Sequence, residues 1–210
     1  MKKIYMYILD TMADWESGYF LQALTLQKML PEQKYQFSTI AASKRPIKTA
    51  GGITLLPDLS LDEIDMDDIG ALLLIGADTW LEEEQQSILD LAAGLIKKDV
   101  LVAAICGATL GLANAGLLDH HFHTSNARFF LTEMSQNYRG SAKYREEAAV
   151  ADRNLVTAGS AGSLLWARYI LEYLKMYSPE TIEAWYRYFA TGDAKYFGEL
   201  MGTFQKQQSE

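Results

Sequence analysis

The sequence predicts an α/β fold, a three-layer α/β/α sandwich with a mainly parallel sheet. Four apolar runs alternate with helical patterns, and near-continuous apolar runs are typical of strands that are buried on both faces. The runs are residues 4–9, 35–41, 71–75 and 100–105. A length of 210 residues favours one large domain, or one domain with an appendage.

Two amphipathic patterns lie between these runs. The first begins after Asp14, which we expect to cap the helix, and keeps an apolar face from Tyr19 until Pro31. The second covers residues 81–98, with glutamates in its first turn and lysines in its last, as the helix dipole favours. The repetition of strand, helix and strand supports the α/β assignment.

Shorter segments complete the expected architecture. Turn residues and short apolar runs predict a ribbon, a single strand, a hairpin and a late helix whose serines act as caps. These are an antiparallel ribbon at residues 44–57 around Gly51-Gly52, a strand at residues 122–127, a hairpin at residues 146–157 around Asp152-Arg153, and a helix at residues 160–177 capped by Ser160 and Ser163. The alternative for these two serines is that their loop lies at the same sheet edge as the functional turns and lines the pocket.

The carboxyl-terminal stretch is rich in aromatic residues and too short for a domain. We interpret it as two helices broken at Gly192, with the aromatic side chains between Trp185 and Phe204 packed in the core. A cover over the functional pocket and a dimer contact are the alternatives. The chain is therefore divided into an α/β domain, residues 1–178, and a helical extension, residues 179–210, packed on the same domain.

Composition excludes several functional classes. A net charge of -8 opposes a broad nucleic-acid or anionic-membrane surface, which needs clustered Lys and Arg. A single cysteine excludes an intrachain disulfide and a cysteine-based metal cluster. Because the sequence also lacks a long apolar run and a signal-like amino terminus, we expect a cytoplasmic protein. Its partner is expected to be a small molecule or a protein, with no nucleic acid and no membrane.

No cofactor or metal is expected. The acidic residues between Asp62 and Asp68 lack the pattern of a calcium loop, and a solvated helix or loop explains them. Gly107, Gly111 and Gly116 follow an apolar run, but their spacing is not that of a dinucleotide-binding loop.

Cys106 occupies the most informative position. It follows the apolar run that ends at Ile105, and a helical pattern begins almost at once, so it lies at a sharp strand-to-helix turn. Such a turn strains the backbone at its apex and needs small neighbours, here Ala104 and Ala108. At a helix amino terminus, free N–H groups and the dipole favour the thiolate. Cys106 is therefore either a reactive nucleophile or a buried structural cysteine.

The turns that follow two other strands are expected beside this cysteine, because parallel strands have their carboxyl ends at the same edge of the sheet. Ligands bind at that edge. The turn Gly76-Ala77-Asp78 follows the third run, and its N–H groups, with that of Gly107, are candidate donors to an oxyanion. Glu16 follows the first run and is a candidate proton partner of the thiol. The alternative for Gly76-Ala77-Asp78 is a plain βα turn. The alternative for Glu16 is a glutamate in the first turn of a helix that only interacts favourably with the helix dipole.

Three strings together resemble the ThiJ/PfpI superfamily of class I glutamine-amidotransferase-like proteins. They are AAICGATLGLANAGLLD, LLLIGADTW and ADWE. The resemblance implies a flavodoxin-like sandwich, a nucleophile at Cys106 and a carboxylate hydrogen-bonded to it at Glu16. It also implies oxyanion donors at Ala77 and Gly107, with Gly76-Ala77 standing where many members have a Gly-Gly pair.

The resemblance runs from about Lys2 to Leu174 and leaves the catalytic base open. Many members carry a histidine after the cysteine on a short strand, and that position falls here on Ser125 or Asn126, which take up no proton at neutral pH. His123 shares a strand face with Ser125 and is a candidate base, with a partly exposed strand histidine as the alternative. Asn126 is a candidate substrate-binding residue.

The resemblance implies a hydrolase with a cysteine nucleophile, working as a homodimer. It would be either an intracellular cysteine protease or amidase, or a glyoxal-type deglycase, acting on a peptide, an amide or a small carbonyl. The alternative from another class is a redox or stress sensor in which Cys106 is oxidised without turnover. A third alternative is a non-catalytic small-molecule binding module.

Overall fold

One sheet organises the molecule, whose computed structural model describes residues 1–207. Its strands in chain order are β1 (Lys2–Tyr7), β2 (Tyr35–Ala41), β3 (Ile47–Lys48), β4 (Thr54–Leu55), β5 (Leu59–Ser60), β6 (Ile69–Leu74), β7 (Leu101–Ile105), β8 (Ala149–Asp152) and β9 (Leu155–Ala158). The sheet has the order β5-β2-β1-β6-β7-β9-β8 and is parallel except for the pair of β8 and β9.

Helices cover the sheet and form the outer layers of an α/β sandwich, as predicted. They are α1 (Gly18–Thr25), α2 (Gln86–Lys97), α3 (Gly107–Asn114), α4 (Arg128–Met134), α5 (Ser163–Tyr173), α6 (Pro179–Thr191) and α7 (Ala194–Gln207). Helix α1 packs against α5, and α5 lies on β7, β8 and β9, whereas α2 and α3 contact β7.

The four apolar runs form the centre of the sheet. Every residue of β7 is buried, and β1 and β6 each end in four buried residues, because these strands have helices on both sides. The neighbouring parallel strands β1, β6, β7 and β9 all end at the same edge of the sheet. The loops that follow them therefore meet there, and this edge holds the candidate site.

The predicted ribbon is present and is bound to the loop that follows β1. Strands β3 and β4 pair antiparallel around Gly51-Gly52, where Gly52 has a φ of 88°. Asp14 accepts a hydrogen bond from the Gly51 N–H at 2.7 Å. The prediction that Asp14 caps the first helix is wrong. The Asp14 carboxylate binds the ribbon, and Ser17 is the residue that precedes α1.

Two other local predictions need correction. Residues 122–127 contain a single bridge between His123 and Tyr144 in place of a strand, because their hydrogen bonds go largely to side chains and loops. The late helix is divided into a 3₁₀ turn, Ser160–Gly162, and α5, and the structure gives neither Ser160 nor Ser163 a capping hydrogen bond.

The carboxyl-terminal helices pack on the α/β body. Helix α6 starts at the cap Ser178 and ends at Gly192, which has a φ of 70°. Trp185 is buried and donates from Nε1 to Gln22 of α1 at 2.7 Å, while Phe204 of α7 is fully buried. The last residues of the predicted extension, 208–210, lie outside the described chain.

Within residues 1–207 no helix has both the length and the apolar character that crossing a bilayer requires.

Candidate active site

Cys106 lies at the junction between β7 and α3, as predicted. Its φ of 55° and ψ of -123° place it outside the regions that L-residues favour. The turn is held by a hydrogen bond from its N–H to the carbonyl of Ala158 at 2.9 Å. A Cβ on Gly107 would come within 2.3 Å of the Ala77 carbonyl oxygen, so glycine is required for the close approach of the two loops. The side chain of Cys106 is half-buried.

Glu16 is fully buried in the turn just before α1. Its Oε2 accepts a hydrogen bond from the Gly76 N–H at 2.8 Å, and its Oε1 accepts one from the Ser160 hydroxyl at 2.7 Å. A Cβ on Gly76 would lie 2.6 Å from both Glu16 Oε2 and Cys106 Cβ, and 3.0 Å from Cys106 Sγ. The carboxyl and the thiol therefore meet across Gly76, where only a glycine fits.

Asn126 completes the surroundings of the sulfur. Its Nδ2 donates a hydrogen bond to Cys106 Sγ at 3.1 Å, and its Oδ1 accepts one from the backbone N–H of Ser160 at 2.8 Å. An amide N–H stabilises a thiolate, but it cannot take the proton that the thiol releases.

The pKa of the Cys106 thiol is raised. Burial is the largest cause, and the negative charge of Glu16 and its hydrogen bond with the thiol act in the same direction. The hydrogen bonds from Asn126 and from the Gly107 N–H lower the pKa of the thiol without reversing the outcome. The expectation that the helix amino terminus favours the thiolate is therefore corrected: desolvation and a neighbouring carboxylate outweigh it.

His123 is fully buried and faces away from this network. Its Nδ1 contacts the His121 carbonyl oxygen at 2.7 Å and must donate to it, so Nε2 accepts from the Tyr138 hydroxyl at 2.7 Å. Burial lowers the pKa of His123. Ser125 is also turned elsewhere, towards the Thr109 hydroxyl at 2.6 Å. Glu16 and Asn126 therefore lie beside the cysteine in the structure, whereas both ring nitrogens of His123 contact other groups.

The candidate oxyanion donors divide into two kinds. The Gly76 N–H donates to Glu16 and so positions the carboxyl. Ala77 and Gly107 lie on adjoining loops beside the sulfur, because a Cβ on Gly107 would be 3.0 Å from the Ala77 nitrogen. Their N–H groups remain the candidates for a developing negative charge on a substrate oxygen.

Sequence reasoning missed the connection through Ser160. This residue follows β9 in the string TAGSAGS and was interpreted as a helix cap, yet its hydroxyl and its N–H join Glu16 to Asn126. Trp15 donates from Nε1 to the same hydroxyl at 3.1 Å. The only available signal was the position of Ser160 after a strand at the functional edge of the sheet.

A cleft of about 890 Å³ lies beside Ser160. It carries no charged side chain, and three aromatic rings contribute to its wall. Its main lining residues are Trp15, Tyr19, Gln22, Ser160, Leu164 and Phe189. A volume of this size matches the range of about 300–1,000 Å³ that is usual for small-molecule sites. Among the described residues, no three His, Cys, Asp or Glu side chains are grouped so as to hold a metal ion.

A mainly parallel α/β sandwich with a cysteine at a strand–helix turn defines a protein of the nucleophile-elbow class. More specifically, the chain belongs to the DJ-1/PfpI family, whose sequence profile it matches over residues 2–173. The resemblance to ThiJ/PfpI proteins is thereby confirmed.

Individual relatives agree with this assignment. The chain is 37% identical over 207 residues to a Bacillus subtilis (strain 168) protein named Uncharacterized protease YoaZ, covering 98% of this chain and 99% of the relative. It is 33% identical over 184 residues to Uncharacterized protease YdeA of the same strain, covering 87% and 88%. A solved thiJ/pfpI family protein from Bacillus anthracis superposes with a TM-score of 0.92 at 37% identity, covering 96% of each chain.

Proposed function

We propose that this protein is a hydrolase that uses Cys106 as its nucleophile and Glu16 as the group that accepts the thiol proton. The observation that carries the proposal is the arrangement around one sulfur. The Asn126 amide donates to it, and the buried Glu16 carboxyl adjoins it across Gly76. Membership of the DJ-1/PfpI family supports the same assignment.

The first step forms the nucleophile and uses it. The thiol proton passes to Oε2 of Glu16, and a sulfur lone pair attacks the carbonyl carbon of the substrate. The carbonyl π electrons move onto oxygen, which accepts hydrogen bonds from the N–H groups of Ala77 and Gly107. Because the thiol pKa is raised, thiolate does not accumulate before the attack, and the proton moves to the carboxylate as the C–S bond forms.

The second half of the reaction depends on the substrate. With an amide or a peptide, the C–N bond breaks and the amine leaves with the proton that Glu16 holds. Water then attacks the resulting thioester, releasing the carboxylic acid and restoring the thiol. With a small 2-oxoaldehyde, the first attack yields a hemithioacetal and requires no leaving group. Transfer of the C1 hydrogen to C2 as a proton, through an enediol, then gives a 2-hydroxy thioester, which water hydrolyses to the 2-hydroxy acid and the free thiol.

The substrate class is a peptide, an amide or a small carbonyl compound. The names of the two Bacillus subtilis relatives support the peptide bond.

Turnover assays test the proposal on two substrate classes, methylglyoxal and a set of peptide amides. We expect turnover on at least one class, its loss in Cys106→Ser, and a decrease of about 10²- to 10⁴-fold in Glu16→Gln, the usual contribution of a general acid or base. Turnover that survives Cys106→Ser would overturn the proposal. The absence of turnover by the wild type on both substrate classes would also overturn the proposal. If Cys106→Ser leaves every measured property of the protein unchanged, a non-catalytic binding module is favoured.

A second candidate function is a redox sensor. It is favoured by the surroundings of the sulfur within residues 1–207. The Asn126 amide and the Glu16 carboxyl adjoin the sulfur, whereas both ring nitrogens of His123 bind other groups. The sulfur would attack the O–O bond of a peroxide: the thiol and one peroxide give a sulfenic acid and water, and the sulfenic acid and a second peroxide give the sulfinic acid and another water. Mass spectrometry after mild peroxide treatment separates the two functions: clean oxidation without turnover supports the sensor.

A homodimer and a cytoplasmic location belong to the same proposal. Light scattering during size-exclusion chromatography tests the dimer, since a monomeric mass at micromolar concentration would contradict it. Fractionation of cells that express the protein tests the location.

A further inference from the structure

A second cavity lies at the carboxyl edge of the sheet. It has a volume of about 280 Å³, and residues at the ends of β1 and β2 and in the loops after β1, β2 and β6 line it. Its main lining residues are Tyr7, Asp10, Arg45, Thr79, Glu84 and Gln85. Cys106, Glu16, Asn126 and Ser160 are not among the residues of its wall. The second cavity is therefore separate from the candidate active site.

The strand order explains why a crevice is present at this place. In the sheet β1 lies between β2 and β6, and the chain passes from β1 to β2 on one side and later to β6 on the other. Connections that leave neighbouring strands in opposite directions open a crevice between them, and open α/β sheets bind ligands at such a switch point. The loops after β1 and β6 both contribute to the wall of the second cavity.

The wall that carries Arg45 is anchored to the loop after β1. The Lys48 N–H donates to Asp10 Oδ1 at 2.7 Å, and the Thr11 N–H donates to the Lys48 carbonyl oxygen at 2.8 Å. Between this anchor and Arg45 stands Pro46, which restricts the backbone of the residue before it. Arg45 is therefore presented by a backbone whose course is fixed without a ligand.

Polar groups from the interior of the protein also line the second cavity. The Tyr7 hydroxyl donates to Gln85 Oε1 at 2.8 Å, and the two residues are 1% and 3% exposed. Thr79 Oγ1 is buried, and within residues 1–207 it has no hydrogen-bond partner. A buried hydroxyl without a partner is unfavourable, so a polar ligand that binds it gains affinity.

Side chains of opposite charge line the second cavity. Arg45 follows β2, whereas Glu82 and Glu84 follow β6. In the described part of the chain none of the three forms an ion pair. Burial and the negative charge of Glu84 raise the pKa of the Tyr7 hydroxyl, so the Glu84 carboxylate acts on the interior of the cavity. A ligand that carries both charges complements the two sides at once.

We propose that the second cavity binds a free α-amino acid with an uncharged side chain. The ligand carboxylate binds the guanidinium of Arg45, which donates two parallel hydrogen bonds to such a group. The ligand ammonium lies against Glu82 and Glu84, and its side chain enters the cavity beside Tyr7 and Thr79.

Size and charge select this class of ligand. A volume of about 280 Å³ lies at the lower end of the range of about 300–1,000 Å³ that is usual for small-molecule sites. A simple anion would meet the two glutamates, and a simple cation would meet Arg45. Among residues 1–207 no three His, Cys, Asp or Glu side chains are grouped so as to hold a metal ion, so the carboxylates of the cavity do not form a metal site.

Isothermal titration calorimetry on the full-length protein tests the ligand class. The probes are L-leucine and L-threonine, together with L-leucinamide, which lacks the carboxylate, and N-acetyl-L-leucine, which lacks the ammonium group. We expect at least one of the two amino acids to bind with a Kd of about 1 mM or lower, a usual affinity for so small a ligand. Leucinamide and N-acetyl-leucine should bind about tenfold more weakly than leucine. No binding of either amino acid at about ten times that Kd would overturn the proposal.

Variants of the charged residues test how the ligand is oriented. Arg45→Gln should weaken the binding of leucine about tenfold and abolish the preference for leucine over leucinamide. The double variant of Glu82→Gln and Glu84→Gln should abolish the preference for leucine over N-acetyl-leucine. Preferences that persist in these variants would overturn the assigned orientation and with it the proposal. All three positions are exposed, so we expect the variants to fold.

Two matched controls come from neighbouring positions. Lys44→Gln and Glu83→Gln each remove a charge next to Arg45 or Glu84 in the sequence, at exposed residues that do not line the second cavity. Both should bind leucine like the wild type. A loss of affinity as large as that of Arg45→Gln would show that net charge, and not contact with the ligand, controls binding.

Cys106→Ser separates the second cavity from the candidate active site. The variant should bind leucine with the affinity of the wild type, because Cys106 does not line the second cavity. Loss of binding in this variant would place the ligand beside the sulfur and contradict the proposal. The proposal does not depend on the proposed function, which is decided by turnover.

Discussion

Asn126 donates a hydrogen bond to Cys106 Sγ over 3.1 Å, although 20 positions separate the two residues in the sequence. A cysteine paired with an imidazole has its donor and its proton acceptor in one ring. In the mechanism proposed above the two roles are divided. Asn126 donates to the sulfur, and Glu16, which adjoins the sulfur across Gly76, is the proposed acceptor.

Asn126 variants test the donor. Asn126→Ala should raise the pH midpoint of Cys106 alkylation, because a hydrogen bond that favours the thiolate is lost. Asn126→Asp should raise the midpoint further, since a second carboxylate then opposes the thiolate. The exposed Asn137→Ala serves as the matched control. A lower midpoint in Asn126→Asp would contradict the assigned geometry.

Gly76→Ala tests the contact between carboxyl and thiol. The new Cβ would meet Glu16 Oε2 and Cys106 Cβ at 2.6 Å, so we expect a loss of about 1–3 kcal/mol in the free energy of unfolding, as for other overpacked sites. Chemical denaturation measures it. Gly94→Ala in α2 is the control, because nothing lies within 4 Å of its added methyl group. That change should stabilise by up to about 1 kcal/mol. Equal stability of the two variants would contradict the prediction.

Backbone strain at Cys106 has a measurable consequence. Because its φ is 55° with a ψ of -123°, Cys106→Gly should be more stable than Cys106→Ala by about 1–2 kcal/mol, although glycine usually destabilises a folded chain. Urea denaturation of the two variants compares them without the thiol. An alanine variant as stable as the glycine variant would show that the turn is unstrained.

Buried His123 predicts a loss of stability in acid. Burial lowers the pKa of His123 in the folded protein, so its contribution is present above the unfolded pKa of about 6.5 and is lost as pH falls through the lower folded value. Urea denaturation at several pH values below 7 should show this decline, weaker in His123→Phe. The decline should persist in part because the pKa of His121 is lowered as well. His120→Gln, at an exposed position, should decline like the wild type.

The sequence was sufficient for the parts of the site that depend on regular structure. Near-continuous apolar runs predict parallel strands, and parallel neighbours bring their carboxyl ends together. The sequence therefore predicts that Glu16, Gly76 and Cys106 lie close together, as they do in the structure. Their small neighbours also predict the sharp turn at Cys106. These inferences need only periodicity and the sizes of residues.

The parts that were missed depend on irregular structure and on burial. The strand predicted at residues 122–127 would place His123 and Ser125 on one face and Asn126 on the other. The chain instead forms a loop whose hydrogen bonds turn Asn126 to the sulfur. The direction of the Cys106 pKa was predicted from the helix terminus alone, because the desolvation that outweighs it depends on the packed structure.

The distribution of the site along the chain determines when it is formed during protein synthesis. Glu16 and Ser160, which share a hydrogen bond, are 144 positions apart, and Ser160 is the last residue of the network to be translated. The ribosome releases Cys106 well before that serine. A nascent chain that has not reached Ser160 therefore carries Cys106 without the complete set of hydrogen bonds, and only a chain translated past Ser160 can form them.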